Sequence, residues 1–83
     1  YMKNLEQQLE ALGYQLYESF MLTKSFIKVY NDKWNLIIET GYDITDVIMN
    51  YVDLDGMAIY NQQDLDDLQD AYNQLLKDVN SLK

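Results

Sequence analysis

The 83-residue chain has no cysteine, no histidine, no arginine and no proline. Without cysteine there is no disulfide framework and no thiolate chemistry. Without histidine the commonest general base, the commonest transition-metal ligand and the usual switch near neutral pH are all missing. No apolar run approaches the roughly 18–20 residues of a membrane span, and no basic start followed by an apolar stretch marks a signal peptide. A cytoplasmic location is the default expectation, with Met2 as the natural start and Tyr1 an addition ahead of it. Only three glycines are present, Gly13, Gly41 and Gly56, and each falls where one element should give way to another.

A further absence is regional. From Trp34 to Leu76 there is no cation, while the same stretch carries nine acids: Glu39, Asp43, Asp46, Asp53, Asp55, Asp64, Asp66, Asp67 and Asp70. The flanks hold six lysines against five acids, so the net charge of −8 arises within this stretch. A one-signed field selects partners and steers encounters but does not build a fold. It disfavours nucleic acid and anionic lipid as ligands, because both repel it. The hydrophobic content of 48% argues against disorder. A single small domain is expected, burying roughly 60–65% of its unfolded surface.

Leu5, Leu9 and Leu12 share one face of a helix over about residues 2–12, with Gly13 as its stop. Residues 14–22, 25–30 and 34–39 read as strands, the first with Tyr14, Leu16, Phe20 and Leu22 on one side. Thr23-Lys24 joins the first two, and Asn31-Asp32-Lys33 is a hairpin turn. Ile44, Val47, Ile48, Tyr51 and Val52 fit a helical stripe, preceded by Gly41, capped by Asp43 and ended by Asp53-Leu54-Asp55-Gly56. Leu65, Leu68, Tyr72, Leu75, Leu76, Val79 and Leu82 form the stripe of a last helix, with Asn61 and Asp64 as a capping box. The expected fold is α+β: an N-terminal helix, a three-stranded antiparallel meander and two C-terminal helices, in the order α-β-β-β-α-α. If Ile27, Val29, Leu36 and Ile38 face the helices, the other sheet face shows Tyr17, Met21, Phe26, Lys28, Tyr30, Asn35 and Ile37. Such a face suits a protein–protein surface.

On the last helix Asp66, Asp67 and Asp70 lie opposite the leucine stripe and face solvent. Carboxylates three or four residues apart stand about 5–6 Å apart, near the spacing of successive phosphates on a nucleic-acid strand. An ordinary solvated helix face explains the same residues, but such faces mix signs for the small gain of Glu–Lys pairs, and this one forgoes it. The Asp53–Gly56 turn comes close to a Ca²⁺ loop. With Gly56 at the sixth position, however, Tyr51 and Gln62 occupy two of the ligand positions, so no metal is expected. Carboxylates alone can run acid–base chemistry, but that needs a deep cleft, so no enzyme and no cofactor are expected.

Short length, strong acidity, absent cysteine and this element order together resemble the small phage-type inhibitors that mimic DNA. The layout is most similar to anti-CRISPR proteins that block Cas9; antirestriction proteins and DNA-glycosylase inhibitors share the acidic logic. The resemblance lies in architecture and charge and carries no diagnostic motif. It implies binding, in the bacterial host cytoplasm, to the basic groove of a nuclease or similar nucleic-acid-binding protein, with carboxylates meeting the arginines that read DNA. The candidate contacts are Asp64, Asp66, Asp67 and Asp70 as one row, extended by Asp53, Asp55, Asp43, Asp46 and Glu39, with Tyr60 as an apolar anchor. The alternative is a small structural or regulatory interaction module, possibly a homodimer through the tyrosine-rich sheet face.

Overall fold

A computed structural model describes residues 4–54 and 59–82. Helix α1 (Leu5–Ala11) starts at a capping box: Gln7 N–H donates to Asn4 Oδ1 at 2.8 Å, and Asn4 N–H donates back to Gln7 Oε1 at 3.3 Å. It ends in a Schellman motif, in which the Gly13 and Tyr14 N–H groups close onto the carbonyls of Glu10 and Leu9. Gly13 sits at φ +100°, where a side chain would be strained. Four strands follow, β1 (Gln15–Phe20), β2 (Thr23–Val29), β3 (Trp34–Gly41) and β4 (Val47–Leu54), then the long helix α2 (Gln62–Ser81). The strands form one antiparallel meander in chain order.

The three-stranded, three-helix expectation is therefore wrong. Residues 47–54, taken for part of a helix, are the fourth strand. Val47, Tyr51 and Val52 fit a helical stripe and also a strand that is part-apolar on both faces. Val52 and Leu54 pack on the core, whereas Met49 and Tyr51 lie on the opposite side. Asp43 caps no helix; its carboxylate accepts from Thr45 Oγ1 in the β3–β4 turn.

Both helices lie on one side of the sheet. Leu5 and Leu9 of α1 and Ala71 and Leu75 of α2 pack with Phe26, Trp34, Leu36 and Ile38. The molecule is a slab of 44 × 27 × 17 Å, a helix layer on a sheet. Cross-strand partners share a face, so Phe26 (opposite Ile38) and Lys28 (opposite Leu36) point toward the helices. The expected placement of Ile27 and Val29 on the helix side is thus reversed, and Phe26 and Lys28 do not lie on the far face. A bulge between Leu16 and Glu18 breaks the alternation of β1, so Leu16 lies on the helix side and Phe20 on the other.

The stripe of α2 is rotated from the expected one. Asp64, Ala71, Leu75 and Asp78 are buried, while Leu65, Tyr72 and Leu76 are exposed. Two aspartates line the inner face because two lysines of the sheet layer meet them. Lys33, in the β2–β3 turn, pairs with Asp64 near the start of α2. Lys28 reaches Asp78 near its end at 3.2 Å. Among the described residues no helix is long and apolar enough to cross a membrane.

Candidate interaction surface

The expected carboxylates divide among four places. Asp64 is an interior group, only 4% exposed. One of its oxygens takes Lys33 Nζ and the other accepts the Tyr60 N–H at 2.7 Å. Asn61 Oδ1 accepts the Asp64 N–H at 3.0 Å, completing a cap in which the short aspartate reaches Tyr60 rather than Asn61. The Lys33 hydrogen bond, followed by the Tyr60 N–H, holds this carboxyl below the usual carboxylate range. Asp64 therefore braces the fold and is lost to any binding row. Tyr60 is exposed beside it, with Lys33 Nζ 5.5 Å from its ring centre.

Asp66 and Asp70 are exposed on α2, whereas Asp67 is half-buried and borders the β2–β3 turn beside Asn31, Asp32 and Lys33, so the expectation that all three face solvent is wrong for Asp67. Gln62 donates to Asp66 at 3.2 Å and Gln63 to Asp67 at 2.9 Å. This face already satisfies part of its own charge. Asp66 also borders a shallow groove lined by Leu65, Leu68 and Tyr72. Asp43 and Asp46 lie exposed in the β3–β4 turn. Asp55 lies outside the described residues.

Glu39 and Asp53 project from the sheet face that the helices leave uncovered. This follows from Leu36 and Ile38 packing inward, which turns Asn35, Ile37 and Glu39 outward. The register then places Glu18, Ser25, Glu39 and Met49 in one row across four strands. The next row is Gln15, Ile27, Ile37 and Tyr51, and beyond it lie Val29, Asn35 and Asp53. Ile37 is walled in to 2% exposure at the centre. The Tyr51 hydroxyl is pushed up, first by burial and then by its hydrogen bond to Glu39, with the charges of Glu39 and Asp53 adding to it. Glu18 was not among the expected contacts. Its place in the row of Glu39, with Ser25 between them, depends on the β1 bulge, which no sequence pattern marks.

Among the described residues this outer face holds no lysine. Lys28 and Lys33 are drawn into the ion pairs with α2, and Lys24 pairs with Thr40 on the helix side, its Nζ 5.0 Å from the Tyr42 ring centre. The face is thus a mixture of carboxylates, tyrosines and aliphatic side chains. The exposed acids occupy both broad sides of a thin slab, so one flat partner cannot engage Asp66 and Asp70 together with Glu39 and Asp53. No family model, no curated protein and no solved structure matches the chain.

Proposed function

We propose that the chain is a non-catalytic inhibitor whose acidic surface occupies the nucleic-acid-binding groove of a bacterial defence nuclease such as Cas9. The observation that carries this reading is how the charges are placed. Two of the few lysines are drawn into buried ion pairs, which leaves eleven described acids without a cation partner. Carboxylates fixed on a sheet and a long helix meet arginine side chains without further ordering of their own backbone. Such binding is fast and salt-sensitive.

The test is competition. Guide-loaded Cas9 is mixed with a labelled duplex carrying the motif next to its target, and the protein is added at increasing salt. Displacement of the duplex at low salt that fades steeply as salt rises supports the reading; no displacement at the lowest salt, there and against a panel of restriction nucleases, refutes it. A second reading, a regulatory module that pairs with itself through the sheet, draws on the exposed Tyr17, Phe20, Val29 and Met49. Sedimentation equilibrium separates it from the first.

A further inference from the structure

The β1–β2 hairpin ends in Phe20-Met21-Leu22, and these three side chains are 64%, 80% and 80% exposed. Met21 takes φ +56°, a conformation natural to glycine or asparagine and costly for a bulky residue. The only other described non-glycine residue with positive φ is Ile44, at +55°. Ile44 packs against the core cluster, so tertiary contacts offset its strain. Nothing in the fold does the same for Met21. The two-residue turn between the paired Phe20 and Thr23 calls for a positive φ at its first position; filling that position with an exposed methionine rather than glycine points outward, to a function.

We infer that the open sheet face together with this hairpin apex is the docking surface for a basic protein, with the apex seated in an apolar pocket and Glu18, Glu39 and Asp53 set against lysine or arginine side chains. The inference rests on reading the chain as an acidic binding protein and names the side it uses. Three observations select this side over α2. First, two of its three acids, Glu18 and Asp53, accept no hydrogen bond among the described residues and Glu39 accepts that of Tyr51, whereas amides of α2 already serve two of its three, Asp66 and Asp67, and leave Asp70. Second, it joins its carboxylates to more exposed apolar side chains than the Leu65, Tyr72 and Leu76 of α2, namely Tyr17, Phe20, Val29 and Met49 running into Met21 and Leu22. Buried anchors ringed by polar contacts are how interfaces concentrate their energy. Third, Lys24, Lys28 and Lys33 each lie 5.0–5.5 Å from a tyrosine ring centre, at Tyr42, Tyr14 and Tyr60. Tyr17 and Tyr51 on the open face, like Tyr72 on α2, carry no such cation among the described residues, so the open face offers two rings to a partner's guanidinium where α2 offers one.

The same charges argue against a second copy. Stacking two open faces about 10 Å apart sets Glu18, Glu39 and Asp53 against an identical cation-free set, and like-charge juxtaposition is costly. Nucleic acid and anionic membranes are repelled in the same way.

The test is an amide chemical-shift titration of the whole chain, at low salt, with a synthetic peptide of alternating arginine and leucine. The shifts are expected at residues 15–23, 37–39 and 49–53. Combining Glu18→Gln with Asp53→Asn should weaken the peptide about tenfold, and combining Asp66→Asn with Asp70→Asn less than about twofold. Met21→Gly should weaken it about fivefold with no loss of melting temperature, which separates lost contact from lost fold. Shifts confined to α2, no shifts at all, or concentration-dependent shifts of the open face in the chain alone overturn the inference, the last by assigning the face to a second copy. The titration contains no nuclease, so failure of the DNA competition and failure of this map are separate results.

Discussion

The two faces of the sheet carry similar side chains and treat charge in opposite ways. On the helix side each buried carboxylate has a cation: Lys28 with Asp78 and Lys33 with Asp64. Asp78 is served further by Tyr14 Oη at 2.9 Å and Gln74 Nε2 at 2.8 Å. On the open side Glu18, Glu39 and Asp53 have no cation among the described residues. A charged group in a low-dielectric layer must be paired and hydrogen-bonded or it destabilises the fold, whereas a solvated one need not be. The fold therefore spends scarce lysines where desolvation demands them, and the outer face keeps the excess negative charge as a consequence. The acidity of the surface is in part a product of how the helix layer is fastened.

The strongest test of this division uses two neighbours. Ile38 and Ile37 are both buried, yet they point to opposite faces. Ile38→Ala opens a cavity between sheet and helices and is expected to cost about 3–4 kcal/mol. Ile37→Ala leaves a gap that Ile27 and Tyr51 can close and that water can reach, so about 1–2 kcal/mol is expected. Urea unfolding monitored through Trp34 measures both. Equal losses would mean that the outer face is as fully covered as the inner one.

Next in size are the braces. Lys28→Met leaves Asp78 half-satisfied in a buried site, and a loss on the order of 2 kcal/mol is expected, moderated by the partial exposure of the lysine. Glu18→Gln on the open face should change stability by less than about 0.5 kcal/mol. The pH profile follows the inner layer. Lys33 and the Tyr60 N–H hold the Asp64 carboxyl low, so as pH falls the unfolded chain takes up its proton first. The stability this gives is present above the ordinary carboxylate range and is lost as pH drops through the folded value; Asp64→Asn should flatten that acid limb. Burial and Asp78 raise the Tyr14 hydroxyl well above its ordinary value. Its contribution holds below the usual tyrosine range and declines as pH rises beyond it, and Tyr14→Phe should reduce this alkaline decline.

The parts of this architecture legible in the sequence are those set by neighbours along the chain. The leucines of α1 with Gly13 behind them, the Asn31-Asp32-Lys33 turn and the extent of α2 are local patterns, and they hold. β4 was hidden because a strand with apolar side chains on both faces has no clean alternation, and Val47, Tyr51 and Val52 match helical spacing by coincidence. Asp64 was hidden for a different reason. Its spacing from Asn61 marked it as a capping residue, but its partner Lys33 lies 31 residues away, and only the tertiary fold shows that the cap and the brace are one carboxylate. The rotation of α2 follows from these braces: with Asp64 and Asp78 turned inward, Leu65, Tyr72 and Leu76 are carried to the surface. Charge alone singles out Glu39 and Asp53, whereas the row that Glu39 shares with Glu18, and the face that Asp53 shares with both, follow only from the register and the bulge.

The smallest expected effect sharpens the contrast between a strained residue that belongs to the core and one that belongs to the surface. Ile44→Gly relieves φ +55° but deletes a side chain packed on the core, so the fold is expected to lose about 1–2 kcal/mol in spite of the relief. Met21→Gly relieves a similar angle and deletes a side chain that touches solvent. The added freedom of glycine in the unfolded chain costs about 0.5–1 kcal/mol, and removing the left-handed strain returns about 1–2 kcal/mol. The net change is expected to lie between zero and about +1.5 kcal/mol of stability. Met21→Asn, which accepts the same angle without the full entropy of glycine, should stabilise at least as much. Chemical unfolding of the three variants side by side checks the ordering. If Met21→Gly destabilises as much as Ile44→Gly, then Met21 packs within the fold and the hairpin apex is structural rather than an element held out for a partner.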